Sequence, residues 1–260
     1  MKKLLIALGI LFLFAAFAFG GLKFYDVFFT EQPEDMSPAN QLAKAKQEEQ
    51  QPVQSAFDKT RFSTQDPASI WVVVNKSRPL EPRDYTPENL IFPSVTLRVP
   101  GNESMRIRGD ITKFIDTLFA DAKLAGHNLM FSSGHRSYAY QVSLYNKYVR
   151  DIGQAAADAQ SARPGYSEHQ TGLAIDVCDA NDCDLIESFG TTAMGQWVAD
   201  NAYRYGFIVR YPKDKTTVTG YAYEPWHLRY VGTELATEMR NTGIKTLEEF
   251  FGLPAAPNYP

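Results

Sequence analysis

Ser167-Glu168-His169-Gln170-Thr171-Gly172-Leu173-Ala174-Ile175-Asp176 decides the reading of this chain. Its first half is polar and contains a glycine, as a turn would; its second half is apolar, as a buried strand would be. Gly172 permits the close bend between the two, so His169 and Asp176 can meet from opposite limbs of a loop and a strand. A second short stretch, Glu224-Pro225-Trp226-His227, adds another imidazole and another carboxylate. Glu224 and His227 are three apart. The spacing places them on one side of a turn, because a regular strand would send them to opposite faces. Two imidazoles, a ligating carboxylate and a second carboxylate that can move a proton are what a catalytic zinc site requires. The candidate ligands of Zn²⁺ are therefore His169, Asp176 and His227, with Glu224 as general base.

The combination Ser-x-His-x-x-Gly-x-Ala-x-Asp with Glu-x-Trp-His resembles the VanY-type D-alanyl-D-alanine carboxypeptidases. The L,D-carboxypeptidases of the same family share it. Val72-Val73-Val74-Asn75-Lys76, Arg78-Pro79-Leu80 and Ser133-Gly134-His135-Arg136-Ser137 extend the likeness, which runs from about residue 68 to 250. The resemblance implies a zinc peptidase acting on peptidoglycan stem peptides, by metal-activated water and without a covalent acyl-enzyme. Removal of a terminal D-alanine by D,D-cleavage is the expected reaction, with L,D-cleavage, crosslink endopeptidase action or a non-catalytic wall-binding module as rivals. It also implies a small antiparallel sheet flanked by helices with the zinc in a groove over it. Arg136 matches an arginine that steadies the oxyanion. Gln141 and Ser167 match positions that recognise the terminal carboxylate. His135 stands where a tyrosine is usual and is expected in the pocket wall. A serine-dependent penicillin-binding protein is excluded by the missing Ser-x-x-Lys nucleophile arrangement.

Outward from these motifs, short strands alternate with helices without a βαβ cadence or a phosphate loop, which predicts an α+β domain. A net charge of −4 and a pI near 5.6 speak against nucleic-acid binding. Lys2 and Lys3 precede an uncharged apolar run of 19 residues, Leu4 to Leu22. This reads as a membrane anchor or a cleavable signal within residues 1–30, and it puts the catalytic domain outside the cytoplasm in either case. Residues 31–66 are polar and read as a flexible tether. The catalytic domain is expected over 67–254, with 255–260 a tail. No protein partner is inferable.

Within the domain, Ile70–Val74, Val95–Val99, Leu129–Phe131 and Phe207–Val209 read as strands. Ile111, Phe114, Ile115, Leu118, Phe119 and Ala122 share a helical face that Gly126 ends. Tyr140, Leu144, Tyr145 and Tyr148 repeat at helical spacing and are expected in the core. Residues 155–162 read as helix end and loop, and 211–221 as a surface loop that could close over the site. Thr246 and Glu249 form a capping-box pattern. Cys178 and Cys183, outside the cytoplasm, predict a disulfide rather than a second metal site. Glu168 is expected at the rim, since adjacent side chains point apart. His127 is expected as a helix-end or surface histidine.

Overall fold

The computed structural model describes residues 57–260, and the apolar segment of 1–30 and the tether through 56 lie outside them. Among the described residues no helix is long and apolar enough to cross a membrane. In chain order the strands are β1 (Leu90–Ile91), β2 (Ile107–Arg108), β3 (Leu129–Ser133), β4 (Ala174–Asp179), β5 (Phe207–Tyr211) and β6 (Glu224–Tyr230). The helices are α1 (Thr112–Leu124), α2 (Tyr138–Ile152), α3 (Gln154–Gln160), α4 (Ala193–Asn201), α5 (Thr216–Thr219), α6 (Thr233–Thr242) and α7 (Leu247–Phe251). Strands β3, β4, β6 and β5 form, in that order, a four-stranded antiparallel sheet, and β1 and β2 form a small separate pair. This is the expected α+β architecture.

Ala174 to Cys178 of the inner strand β4 are buried. Ile175 and Val177 join Ile111, Ile115 and Leu118 of the α1 region and Phe131, Phe207 and Leu228 of the other strands in one core, and the alternation of the strand sends Asp176 to the opposite face. A second cluster gathers Trp71 and Val73 with Leu235, Met239, Leu247 and Phe250. Phe57 joins it, with ring centroids 5.5 Å from both Trp71 and Phe250. Among the described residues, 57–66, the last ten of the expected tether, therefore belong to the packed domain. The expected tail is packed too. Ala256 is buried, and Tyr259 bonds the Tyr221 hydroxyl and the Arg163 amide.

Ile70–Val74 is buried from Trp71 onward but forms no strand, because its carbonyls are taken by guanidinium groups. Arg229 donates to Ile70 and Val72, Arg78 to Val73, and Arg210 reaches Val74. Val95–Val99 also falls short of a strand and touches β3 through a single parallel bridge, Leu97 to Phe131. The 155–162 segment is more regular than expected, being mostly α3. The disulfide Cys178–Cys183 is present and closes the turn at the end of β4. Thr246 caps α7 as the sequence predicts, with the Glu249 amide donating to its hydroxyl and that hydroxyl donating to the Glu249 carboxylate.

Arg210 on β5 and Glu248 on α7 are both fully buried and doubly hydrogen bonded, at 2.7 and 3.0 Å. Asn75 donates to the same carboxylate. Burial alone would raise Glu248, but Arg210 outweighs it and holds the carboxyl below its ordinary value. A depressed carboxylate contributes fully above its unfolded value, about pH 4.3, and loses that contribution as acid titrates it. Glu248→Gln should therefore cost about 3–5 kcal/mol at pH 7 by leaving Arg210 partly unpaired. The deficit should shrink below about pH 4, as read by denaturant melts across pH.

Candidate active site

Two irregularities in the sheet build the site. Between Phe131 and Ser133, β3 carries one residue more than β4, so Ser132 and Ser133 both face the cleft. Between Val209 and Tyr211 the pairing jumps from Leu228 to Glu224, so β6 carries extra residues at 225–227. Such bulges re-aim side chains. Glu224 and His227 therefore share one face although they lie on a strand rather than the expected turn, with Glu224 Oε2 3.6 Å from His227 Nδ1. Gly172 takes the left-handed conformation expected of the bend, and a Cβ there would press on Arg108, Leu90 and Pro87. Asp176 is paired across the sheet with both Ser133 and His227.

His169, Asp176 and His227 are all buried and offer donor atoms within 4.8 Å of one another. The hydrogen bonds fix which atoms face inward. His169 Nδ1 donates to the Gly134 carbonyl at 2.6 Å, which leaves the Nε2 lone pair directed at Asp176 Oδ2, 3.3 Å away. His227 turns Nε2 to Glu168 Oε2 and Nδ1 to Asp176 Oδ1, each at 3.4 Å. Asp176 Oδ1 is buried with no hydrogen-bond partner among the described residues. An orphaned anionic oxygen between two oriented imidazoles fits a divalent cation, and His₂-carboxylate is a zinc donor set.

Glu168 is where the structure departs most from the sequence reading. It is not at the rim. Its side chain is fully buried, with Oε1 accepting from Arg210 at 2.8 Å and from Arg229 at 2.7 Å, and Oε2 facing His227. The reversal follows from the short 3₁₀ turn over 168–171, in which all four side chains point inward. A signal existed in the sequence: two arginines, Arg210 and Arg229, at inward strand positions need a buried anion. Despite its burial, Arg229 and Arg210 hold Glu168 well below the usual carboxylate range. Burial by itself lowers His227, but Asp176 and Glu168 outweigh it and bring it to about 9. Burial and Arg136 together take His169 down to about 4, against the pull of Asp176.

Arg136 lies just ahead of α2 and reaches the same centre. Its Nη2 donates to Asp176 Oδ2 at 2.9 Å and lies 3.0 Å from His169 Nε2, while Nε donates to Ser133. Glu224 is 21% exposed at the cleft. Burial raises it to about 7, with Asp176 and Glu168 adding to that and His227 and Arg136 opposing. That value suits a general base at neutral pH.

These groups lie in one cleft of about 670 Å³. Ser167 lines it. His135 and Gln141 do not. His135 is buried behind the cleft, its amide bonded to the Arg106 carbonyl. Gln141 is buried under the wall and donates to Ala162 O and Ser161 Oγ, two residues that do line the cleft. Of the α2 residues expected in the core, only Tyr145 is buried. Tyr140, Leu144 and Tyr148, one stripe at spacing four, form a cleft wall. In the 211–221 segment, Tyr211 and Tyr221 are buried in the opposite wall, and the Tyr211 ring lies 4.8 Å from that of His227. Trp226 lines the cleft while packing on the core. His127 stands apart, beside Trp197.

Glu168→Gln should weaken zinc binding about 10- to 100-fold, since it removes the anion that orients His227. Zinc titration with a competing chelator measures this, and a melting curve separates it from unfolding.

Comparison with known proteins agrees with this geometry. The VanY family, described as D-alanyl-D-alanine carboxypeptidase, matches residues 104–233. The Bacillus subtilis (strain 168) protein YodJ is 44% identical over 189 residues, which cover 72% of this chain and 68% of YodJ. A solved structure of the LdcB LD-carboxypeptidase is 44% identical with a TM-score of 0.68, over 72% of this chain and 87% of that one. A VanY D,D-pentapeptidase variant from a vancomycin-resistance cassette, solved in complex with Zn(II), is 33% identical with a TM-score of 0.58, over 69% and 97%. The chain belongs to the VanY family of D-alanyl-D-alanine carboxypeptidases and is a zinc metallopeptidase of that family.

Proposed function

We propose that this carboxypeptidase removes the terminal D-alanine of peptidoglycan stem peptides, and that its preferred substrate is the tetrapeptide, cut in the L,D sense. The carrying observation for the bond is the greater likeness to LdcB, 44% identity and TM-score 0.68 against 33% and 0.58 for the D,D-pentapeptidase. The D,D reaction, the first expectation from the motifs, is the second reading, favoured by the family description itself.

His169 Nε2, His227 Nδ1 and Asp176 would hold the metal. When bound, Zn²⁺ supplies a Lewis acid and brings the pKa of a water to about 7. Glu224 takes the proton from the attacking water and returns it to the departing D-alanine amine. Arg136 brings a positive charge to the oxygen of the scissile carbonyl as it becomes anionic. Ser167, neutral and lining the cleft beside His169, is placed to hydrogen-bond the terminal carboxylate. Gln141 acts one step back, by fixing Ser161 and Ala162 in the wall.

The site of action is the wall side of the membrane. The basic start and apolar run of residues 2–22 support this reading, as does the disulfide, which persists in oxidising compartments.

Mass spectrometry of defined muropeptides incubated with the full-length chain tests the reading. Tetrapeptide should lose one alanine with zinc and none with chelator. Preferential shortening of pentapeptide would establish the D,D reading, and cleavage of crosslinked dimers alone would make the enzyme an endopeptidase. Glu224→Gln should keep stoichiometric zinc while losing about 100- to 10,000-fold in kcat. A labelled penicillin should leave the protein unacylated, since no serine nucleophile takes part.

A further inference from the structure

Two guanidinium groups line the cleft, Arg136 and Arg98. Each is anchored to one of the two successive serines that the β3 bulge turns toward the cleft. Arg136 Nε donates to Ser133 Oγ at 3.3 Å, and Arg98 Nη1 donates to Ser132 Oγ at 3.2 Å. Their electrostatic situations differ. Arg136 is committed to Asp176 at 2.9 Å. Arg98 has no carboxylate within 4.0 Å among the described residues, although it lies in a cleft lined by Glu168, Asp176, Glu187 and Glu224.

The sheet gives the distance scale. Asp176 on β4 pairs with Ser133 on β3, and the segment carrying Arg98 runs along the other side of β3. Arg98 N donates to Phe131 O at 2.9 Å, and Phe131 N donates to Thr96 O at 2.8 Å. Two strand spacings of about 4.8 Å place the Arg98 backbone roughly 10 Å from that of Asp176. An extended peptide rises about 3.3 Å per residue, so a substrate lying along this cleft passes Arg98 some two or three residues from the scissile bond. That is too far for the terminal carboxylate, which lies one residue beyond the bond being cut.

We infer that Arg98 is a specificity-determining residue that binds a free carboxylate on the stem peptide two or three residues upstream of the scissile bond. The inference rests on the stem-peptide reading of the site. A guanidinium held by a neutral hydroxyl keeps its other N–H groups for a forked bond to a planar carboxylate. The four acidic residues in the lining favour a monoanion over a phosphate dianion. Two carboxylates of a stem peptide have the right chemistry: the free α-carboxylate of a γ-linked second-position glutamate, two residues upstream of an L,D cut, and the side-chain carboxylate of a third-position diamino acid, which is one residue upstream of that cut and covers the remaining distance with its own long side chain.

The test measures kcat and KM of the full-length zinc-loaded chain, of Arg98→Gln and of Arg98→Lys. The substrates are the unmodified stem peptide and three forms amidated singly, at the diamino acid, at the glutamate or at the chain terminus. Amidation of one upstream carboxylate should lower wild-type kcat/KM about tenfold, mostly through KM. Arg98→Gln should show the same loss on the unmodified peptide and no further loss on that amidated form, with Arg98→Lys recovering part. Which amide reproduces the loss identifies the carboxylate. Equal losses by Arg98→Gln on every peptide, no loss on any, or a loss that follows only the terminal carboxylate would overturn the inference. If the wild-type chain cleaves no stem peptide, the stem-peptide reading fails and this inference fails with it. Because Arg98 is exposed, its variants should melt with the wild type.

Discussion

The structure depends on a buried ion network: Glu168 held by Arg210 and Arg229, with Arg210 also holding Glu248. Two carboxylates and two guanidinium groups, all with fully buried side chains, balance one another in charge. Burying such charges is costly unless every one is paired and hydrogen bonded. Here the spare N–H groups of Arg229 and Arg210 also satisfy the carbonyls of the 70–74 segment, so one network replaces a strand ladder on one side and reaches the active site on the other. Its free end is Glu168 Oε2, which faces His227. The orientation of that imidazole is thereby tied to the packing of α7, through a chain of contacts that begins at Glu248.

The same economy appears in the sheet. A four-stranded antiparallel sheet would separate the site residues onto alternating faces. Bulges in β3 and β6 override the alternation where the chemistry needs it. One brings Ser132 and Ser133 to the cleft together, and the other brings Glu224 to His227. The metal ligands then come from rigid elements, with Asp176 and His227 on paired strands and His169 on a one-turn helix pinned by the Gly134 carbonyl. Preorganisation of this kind limits the rearrangement that metal binding demands.

What the sequence reveals and what it hides divide along physical lines. The ligand triad was legible, because a metal site constrains residue type and spacing tightly. The α+β class and the disulfide were legible for similar local reasons. Glu168 was not: a carboxylate looks solvent-facing until its buried cationic partners are known, and Arg210 and Arg229 lie 42 and 61 residues away in the chain. His135 and Gln141 were misplaced because neighbours of a motif need not face its cleft. Tyr140, Leu144 and Tyr148 were read as core because helical spacing marks a shared face without saying whether that face meets a core or a cleft. The packing of Phe57 and Tyr259 was missed since single aromatic residues in polar stretches carry no periodic signal.

His169, Asp176 and His227 form the zinc site beside Glu224. X-ray absorption at the zinc edge of the stoichiometrically loaded protein reads that donor set. Two imidazole nitrogens at about 2.0–2.1 Å with the remaining ligands oxygen are expected, falling to one imidazole in His227→Ala. Sulfur in the coordination shell, or a spectrum unchanged by loss of His227, would contradict it.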